Sequence, residues 1–493
     1  MIWIDFVLVW YSAYRLCRSG CMGLLQMEKL ALSFLMALAL KSLILFFLIR
    51  LGIQPTASIQ LGFGLLMLLL ILFFPEKPIE QLDTGAMTGL VWVTILVAGG
   101  LFAFSMVNAW FFPITESDAI WYHIRGMSFF HEVRFDSGWV VAQLKQYPPF
   151  IPLLFAYLIS FDVEFLKIFF PLLYLCLVVI FYSQILRLTE NKKMACLFTL
   201  VLATTPYFWW HGVLPFLDLA TAVFYSTGSL YWYFWMRNKI GESSVGVENS
   251  YALISGTLLG LAAWTRIEFL LYDLVPIFLT VLILSRREEN DLKPLKLFFV
   301  SILFFPTLWF LSLMTFKLTL FSQFKMVGGV CFLLWIFGFG LAWGKWKIPE
   351  SGVRIAFILA VSGCFALLFL SGKESFPVWN KLLISSYRTS TVHIFYLFTA
   401  SLIVFLFFEN LKELPELKKL LGCFLILFLC THVAIFSYAT PKWKTLGEFV
   451  YATFVQPGNS VNLSDTRGMM SVYPVFIFFI ASLPFVKRRL ADE

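Results

Sequence analysis

The sequence contains a long series of apolar stretches, and this series restricts the chain to one broad class of fold. A helix needs about 20 apolar residues to cross the hydrocarbon core of a bilayer. The stretches are continuous rather than alternating, which favours helices over a β-barrel. We therefore predict an all-α, polytopic transmembrane helical bundle of about 13–15 spans. The expected crossings lie near 30–49, 59–75, 88–112, 165–187, 194–210, 218–236, 251–269, 270–285, 295–316, 325–343, 352–371, 391–408, 420–438 and 470–486, and a further, shorter one covers 1–16.

The composition agrees with this class and excludes several others. Of the 493 residues, 60% are hydrophobic and only 13% are charged, too few charges to coat a surface that faces water. A soluble enzyme, a coiled coil and a disulfide scaffold are therefore excluded. The net charge of +8 is expected to come from cytoplasmic loops, so the predicted partner is the lipid bilayer and not nucleic acid.

The basic residues predict how the chain is oriented in the membrane. The C-terminus carries three basic residues at 487–489 and is placed in the cytoplasm. Counting back from it, the basic loops fall on one side, provided that 148–160 does not cross but lies on the outer face as a short helix. The long polar loops are then outside; they are 113–147, 372–390 and 439–469.

The first of these outer loops contains the most informative group of polar residues. A helix that starts at about 117 can be capped by Thr115 or Ser117. Its residues Asp118, Tyr122 and Arg125 would then share one face. The carboxylate can take a proton from an attacking hydroxyl or hold a metal ion, and the guanidinium can bind a phosphate. The alternative is a surface helix with solvated charges.

A second group of charges lies at the outer ends of later helices. Asp218 begins one helix, and an acidic residue at membrane depth usually faces a cavity or a partner. Arg266 and Glu268 interrupt an apolar run and cannot share one helix face, so a break or tight hairpin is predicted there. The two residues belong either to a polar site or to an ion pair that closes the hairpin.

Three further candidates are predicted on the same side. Lys145 and Tyr147 precede two prolines and would lie at the level of the lipid headgroups. Either contact with a ligand or ordinary anchoring at the interface explains them. Arg467 comes shortly before the last helix, where it is placed to hold an anion.

Taken in order, these motifs resemble those of the GT-C superfamily of integral membrane glycosyltransferases. The likeness is greatest to the branch of protein O-mannosyltransferases and aminoarabinose transferases, and it implies a first outer loop that carries juxtamembrane helices. It divides the chain into N-terminal helices without an assigned role (1–87), a catalytic transmembrane region (88–285) and C-terminal helices (286–493). The segments that carry the likeness are 116–123, 147–154, 217–220 and 256–268.

The resemblance also implies a reaction and a set of site residues. The donor would be a polyprenyl-phosphate-linked sugar and the acceptor a lipid, glycan or protein of the cell envelope. The protein would then lie in a bacterial inner membrane, with its site on the periplasmic face. A divalent metal ion on Glu116 and Asp118 is allowed but not required. The implied catalytic residues are Asp118, Glu116 and Asp218, and the implied substrate-binding residues are Tyr122, His123, Arg125, Lys145, Tyr147, Arg266, Glu268 and Arg467.

Two other functions remain open on the sequence alone. A transporter or lipid-linked-sugar flippase would need polar or broken helices near the middle of the bilayer. Lys41 is the one clear mid-span charge, and the sequence contains no internal repeat. An O-antigen polymerase or ligase would need a large late outer loop with Arg and His; the loop 439–469 has Arg467 but no His.

Overall fold

The fold is helical throughout the part of the chain that the computed structural model describes. That part comprises residues 1–21, 23–73, 89–136, 147–240, 245–266, 268–284, 293–315, 332–333, 335–336, 420–428, 431–432, 468, 470–483 and 486. Its helices are α1 (Ile2–Gly20), α2 (Gln26–Arg50), α3 (Ala57–Leu72), α4 (Gly89–Phe111), α5 (Ser117–His131), α6 (Phe150–Ile159), α7 (Phe169–Thr189), α8 (Lys192–Thr204), α9 (Pro206–His211), α10 (Leu217–Ile240), α11 (Val245–Thr265), α12 (Phe269–Tyr272), α13 (Leu274–Leu284), α14 (Lys293–Thr315) and α15 (Tyr473–Ser482).

Four of these helices, α2, α4, α7 and α14, are long and apolar enough to cross a membrane. The predicted all-helical class is confirmed for the described residues, and the four long apolar helices indicate that the chain is a membrane protein. The expected crossings at 325–343, 352–371 and 391–408 lie largely outside the described residues, as do the predicted outer loops 372–390 and 439–469.

Several boundaries differ from those expected, for local reasons. The expected segment 1–16 is helical as far as Gly20. The expected segment 194–210 is divided at Thr205, whose extended backbone is the conformation that a following proline favours. The short helix expected over 148–160 is present as α6, which begins directly after Pro149.

One end of the bundle is organised around Glu28, at the start of α2. Its carboxylate pairs with Arg187 of α7 at 2.5 Å and accepts hydrogen bonds from Gln184 at 2.8 Å and Tyr231 at 2.9 Å. Arg187 also donates to the carbonyl of Gly23 at 3.3 Å. A buried carboxylate is stable only when it is paired and hydrogen-bonded, and Glu28 meets both conditions through α7 and α10.

Two more contacts bring the ends of α1, α10 and α11 to the same place. Lys239 pairs with Glu248 at 2.7 Å, and Ser250 donates to the carbonyl of Gly20 at 2.6 Å. This end is termed the basic end because most of the charged side chains near the helix ends there are positively charged. Its basic residues are Arg15, Arg18, Lys29, Arg187, Lys192, Lys193, Arg237, Lys239, Lys293 and Lys296.

The opposite end of the bundle is rich in exposed aromatic side chains. Phe165, just before α7, stacks on Trp110 of α4 at 4.2 Å and on Trp3 of α1 at 6.0 Å between ring centroids. Lys167 donates to Asn108 at 2.8 Å beside this stack. Aromatic rings in such a position are typical of a membrane–water interface. The start of α10 and the end of α11 lie at this end, which is termed the site end.

Lys41, the mid-span charge noted in the sequence, lies in a buried cluster. Its Nζ is 2.5 Å from Asp5 Oδ2, and the Tyr157 hydroxyl donates to the same oxygen at 2.7 Å. All three side chains are 0% exposed. Neither Asp5 nor Tyr157 was predicted as a partner of Lys41. The three residues are termed the buried charge cluster.

Close packing of α11 against α14 holds the end of α11 in place. A Cβ atom built on Gly256 would lie 2.5 Å from the carbonyl oxygen of Phe298, and one on Gly260 would lie 2.8 Å from that of Ile302. The two helices can approach this closely only because both positions are glycine.

Gly256→Leu is expected to cost at least about 1–3 kcal/mol of folding free energy, because the added side chain forces the backbones of α11 and α14 apart. Gly100→Leu in α4 is the matched control, since a Cβ atom there meets nothing within 4 Å. Thermal unfolding of both variants in detergent, followed by tryptophan fluorescence, measures the difference. Equal losses in the two variants would contradict the packing argument.

Candidate functional site

Asp218 and Arg266 form the centre of a polar cluster at the site end. Arg266 Nη1 lies 2.8 Å from Asp218 Oδ1, and Arg266 Nε lies 3.9 Å from Glu268 Oε2. Asp218 is 4% exposed, Arg266 16% and Glu268 32%. Asp218 is therefore buried and Arg266 partly buried, while Glu268 is about one-third exposed with its Oε2 atom enclosed by the protein. Arg266 has its shortest ion pair with Asp218 of another helix, and not with Glu268 of its own hairpin.

The local sequence explains why these residues meet. α10 begins at Leu217 and α11 ends at Thr265, and the two helices are antiparallel neighbours, so residues at these termini are adjacent. The amide of Arg266 still donates to the carbonyl of Ala262, and a new helix begins only at Phe269. The predicted break between Arg266 and Glu268 is confirmed. The break places both residues between α11 and α12, at the site end.

Two tyrosines share the electrostatic environment of these charges. Burial, and then the carboxylate of Asp218, raise the pKa of the Tyr122 phenol above its ordinary value. The carboxylate of Glu268, and then burial, raise the pKa of the Tyr147 phenol to about 12. The carboxylate of Asp118 also raises the pKa of both phenols, whereas the guanidinium of Arg266 lowers it. The helix α5, the segment before α6, and the ends of α10 and α11 therefore supply one common site.

Glu268→Gln is expected to lower the pKa of Tyr147 from about 12 towards the ordinary tyrosine value of about 10. The reason is that a neighbouring negative charge disfavours the tyrosinate, so its removal makes deprotonation easier. An ultraviolet titration of tyrosinate absorbance, with Tyr147→Phe used to identify the signal, measures the shift. A Tyr147 titration that does not move in Glu268→Gln would contradict this arrangement.

The predicted helix in the first outer loop is present as α5, but only its first two turns reach the cluster. Asp118 is exposed, and its charge raises the pKa of the Tyr147 and Tyr122 phenols. Tyr122 is half-buried, and the charge of Asp218 also raises its pKa. Arg125 is completely buried, with its guanidinium carbon 5.2 Å from the Phe129 ring centroid and 5.6 Å from that of Trp309. The sequence grouped Arg125 with Asp118 on one helix face, but the structure places its guanidinium among the aromatic rings of α5 and α14. Arg125 fastens α5 to α14.

His123 is half-buried and packs against α6. Its ring lies 5.7 Å from the Phe155 ring of α6 in an edge-on arrangement, and burial lowers its pKa below the ordinary value. A neutral ring packed on an aromatic neighbour is typical of a structural histidine. The structure therefore places His123 at the contact between α5 and α6.

Glu116 has a different neighbourhood from Asp118. It is the N-cap residue of α5, a position that the sequence assigned to Thr115 or Ser117, and its carboxylate accepts from the amide of Thr115 at 3.1 Å. Burial lowers the pKa of Lys167, and the negative charge of Glu116 opposes that shift. Glu116 and Asp118 therefore interact electrostatically with different residues. Among the residues that the structure describes, no three His, Cys, Asp or Glu side chains are grouped as ligands for a metal ion.

Two predicted site residues cannot be placed, and two others were missed. Lys145 and Arg467 lie outside the described residues. Lys167 and Asn108 were not identified from the sequence, although a lysine directly before an apolar helix is a signal for an interfacial contact. Their hydrogen bond ties α4 to α7 beside Glu116.

The charges define what the cluster can do chemically. Asp118, Asp218 and Glu268 supply three carboxylates, and Arg266 supplies one guanidinium. The exposed carboxylate of Asp118 can accept a proton from a hydroxyl or bind sugar hydroxyls. The buried Asp218 fixes the orientation of Arg266, whose guanidinium can face an anion while its charge is partly balanced.

The comparisons with known proteins were negative. No family model, curated protein or solved structure matches this chain. A functional assignment therefore depends on the residues themselves and on their arrangement at the site end.

Proposed function

We propose that the chain is a membrane glycosyltransferase of the GT-C type, which transfers a sugar from a polyprenyl-phosphate-linked donor to an envelope acceptor. The observation that supports it best is the convergence of Asp118, Tyr122, Tyr147, Asp218 and Arg266 at one end of a helical membrane bundle. These residues come from separate segments of the chain, and they are among those that the resemblance to the GT-C enzymes implies. A membrane-embedded enzyme of this type needs such a site at the level of the headgroups, where a lipid-linked donor presents its phosphate.

In the proposed reaction, an acceptor hydroxyl attacks the anomeric carbon of the donor sugar. The new bond joins the acceptor oxygen to that carbon, and the bond from the carbon to the phosphate oxygen breaks. Asp118 takes the hydroxyl proton, and the polyprenyl phosphate leaves with the bonding electrons. No step of this reaction is assigned to a metal ion.

Arg266 is the described group that stabilises the leaving phosphate in this proposal. Charge develops on the phosphate oxygen as the bond breaks, and a fixed guanidinium stabilises that charge without reorganising. Asp218 holds the guanidinium at 2.8 Å, and Glu268 lies 3.9 Å away on its other side. Lys145 and Arg467, as predicted from the sequence, would add positive charge.

The proposed orientation places the site end outside the cytoplasm. Basic residues concentrate at the opposite end of the helices, as the positive-inside rule expects for a cytoplasmic face. The start of α10, with Asp218, then faces the periplasm of a bacterial inner membrane. The aromatic side chains of Trp3, Trp110 and Phe165 would lie at the outer interface.

The assay that tests this proposal uses the purified protein in liposomes with radiolabelled polyprenyl-phosphate sugars and total envelope lipids and proteins as acceptors. Transfer of label by the wild-type protein supports the proposal and identifies the acceptor fraction. Parallel reactions with and without a chelator determine whether a divalent ion takes part. A well-folded protein that transfers no label from any donor would argue against an enzyme of this class.

A transporter or flippase is the second candidate, and the buried charge cluster is the observation that favours it. Ionisable residues within membrane helices often mark a path for an ion or a substrate. Asp5 and Lys41 form such a pair, with no exposed surface. A flux of labelled lipid-linked sugar across proteoliposome membranes, with no covalent transfer of the sugar, would favour this function over the enzyme.

A further inference from the structure

We propose that the N-terminal helices α1 and α2 form a platform for the site, and that the buried charge cluster positions the helix that bears Asp118 and Tyr122. Residues 1–87 have no role in the GT-C resemblance. The inference gives their first two helices a role, and its catalytic consequence rests on the proposed function.

The buried charge cluster connects the N-terminal helices to α6. Asp5 of α1 and Lys41 of α2 form the ion pair, and Tyr157 of α6 donates to the same carboxylate oxygen that faces Lys41. The Lys41 ammonium also lies 4.9 Å from the centroid of the Tyr157 ring. Tyr157 is therefore held through both its hydroxyl and its ring by residues more than a hundred positions earlier in the chain.

A second contact joins α6 to α3, the helix that follows the platform. Gln60 donates to the Ser160 hydroxyl at 2.6 Å, and that hydroxyl donates to the carbonyl of Tyr157 at 2.7 Å. The C-terminal half of α6 thus has polar contacts to α1, α2 and α3. Its ten residues are apolar elsewhere, so these contacts set its rotation and depth.

The same short helix carries α5. A Cβ atom on Gly126 of α5 would lie 2.6 Å from the Cβ atom of Phe155 and 2.9 Å from the carbonyl oxygen of Pro152. The His123 ring packs on Phe155 as well. Backbones this close transmit displacement directly, because no flexible side chain lies between them. A movement of α6 therefore moves the turn of α5 next to Tyr122.

The platform also supports the other half of the site. The Phe46 ring of α2 lies 5.1 Å from the Trp264 ring, two residues before Arg266. It lies 5.2 Å from the Phe135 ring, which follows α5. One side chain of α2 therefore contacts both the end of α11, next to Arg266, and the turn that follows α5.

The most selective test is Tyr157→Phe, which removes the link from α6 to Asp5 and leaves the Asp5–Lys41 ion pair in place. The matched control is Tyr174→Phe, which removes an equally buried hydrogen bond, to the carbonyl of Ala203 at 2.8 Å, between α7 and α8. Hydrogen–deuterium exchange over 117–131 is measured in both variants in the full-length protein. We expect exchange of this segment to rise in Tyr157→Phe only, by up to about 10- to 150-fold, the factor that corresponds to one lost hydrogen bond to a charged group.

Enzyme kinetics provide the second measurement. If Tyr157 positions the catalytic helix, Tyr157→Phe lowers kcat for sugar transfer by a similar factor and leaves KM for the donor unchanged, whereas Tyr174→Phe changes neither. Asp5→Asn combined with Lys41→Met removes both charges without leaving one unpaired, and the amide oxygen of Asn can still accept from Tyr157, so exchange over 117–131 should rise less than in Tyr157→Phe.

The two proposals fail separately in this experiment. Exchange over 117–131 that is the same in Tyr157→Phe and Tyr174→Phe would overturn the platform, whether or not the protein transfers sugar. Raised exchange of that segment in a protein whose wild type transfers no sugar would support the platform and reject the glycosyltransferase.

Discussion

Replacing Asp118 with Asn is expected to lower sugar transfer by about 10²–10⁴-fold, the range of effects for loss of a general base. The amide has nearly the shape of the carboxylate but cannot accept the proton of the acceptor hydroxyl. Because Asp118 is exposed at the start of α5, the substitution should leave the fold unchanged. Initial rates of label transfer in liposomes, at saturating donor and acceptor, measure the loss in kcat.

Two other variants make this result specific. Glu132 is the C-cap residue of α5 and forms a partly exposed ion pair with Arg134, 3.2 Å away, so Glu132→Gln should retain wild-type activity. Glu116→Gln tests the neighbouring carboxylate, which acts on Lys167, and should lose much less activity than Asp118→Asn. Full activity of Asp118→Asn, with the wild type active, would reject Asp118 as the base.

Lys41→Met is expected to cost about 3–5 kcal/mol of unfolding free energy, since it leaves the carboxylate of Asp5 buried and without its cation. The added replacement Asp5→Asn should recover most of that loss, because the pair is then neutral and similar in volume. Unfolding in mixed micelles, followed by tryptophan fluorescence, gives the three free energies. The comparison separates the cost of an unpaired charge from the net contribution of the pair.

Lys296→Met is the control for the loss of a lysine as such. Lys296 is exposed at the start of α14, so its replacement should change the unfolding free energy by no more than about 0.5 kcal/mol. If the double variant were as unstable as Lys41→Met alone, the loss would come from packing around Lys41 and not from an unpaired charge.

Much of the fold follows from the sequence because membrane helices leave a local signal. A run of apolar residues fixes a helix whatever surrounds it, and the α5 and α6 helices were both located by their flanking residues. The break between Arg266 and Glu268 was likewise predictable, since residues two positions apart do not lie on the same face of a continuous helix.

The partners of buried charges could not be predicted in the same way. Lys41 is conspicuous in the sequence, but Asp5 lies in the first turn of α1 and Tyr157 in an apolar helix, and neither position indicates a partner. Helical spacing also grouped Arg125 with Asp118, because periodicity cannot show where α5 passes from the cluster to the contact with α14. Such assignments depend on how helices pack, which a single sequence does not specify.

The network around Glu28 has a consequence for the synthesis of the protein. Tyr231, one of its hydrogen-bond donors, lies 203 residues later in the chain. At about 5–20 residues per second, the ribosome needs about 10–40 s to reach it after Glu28 has emerged. During that time the carboxylate is stable only where water can solvate it. The start of α2 must therefore remain at the membrane surface until α7 and α10 have been made, and the basic end of the bundle closes late.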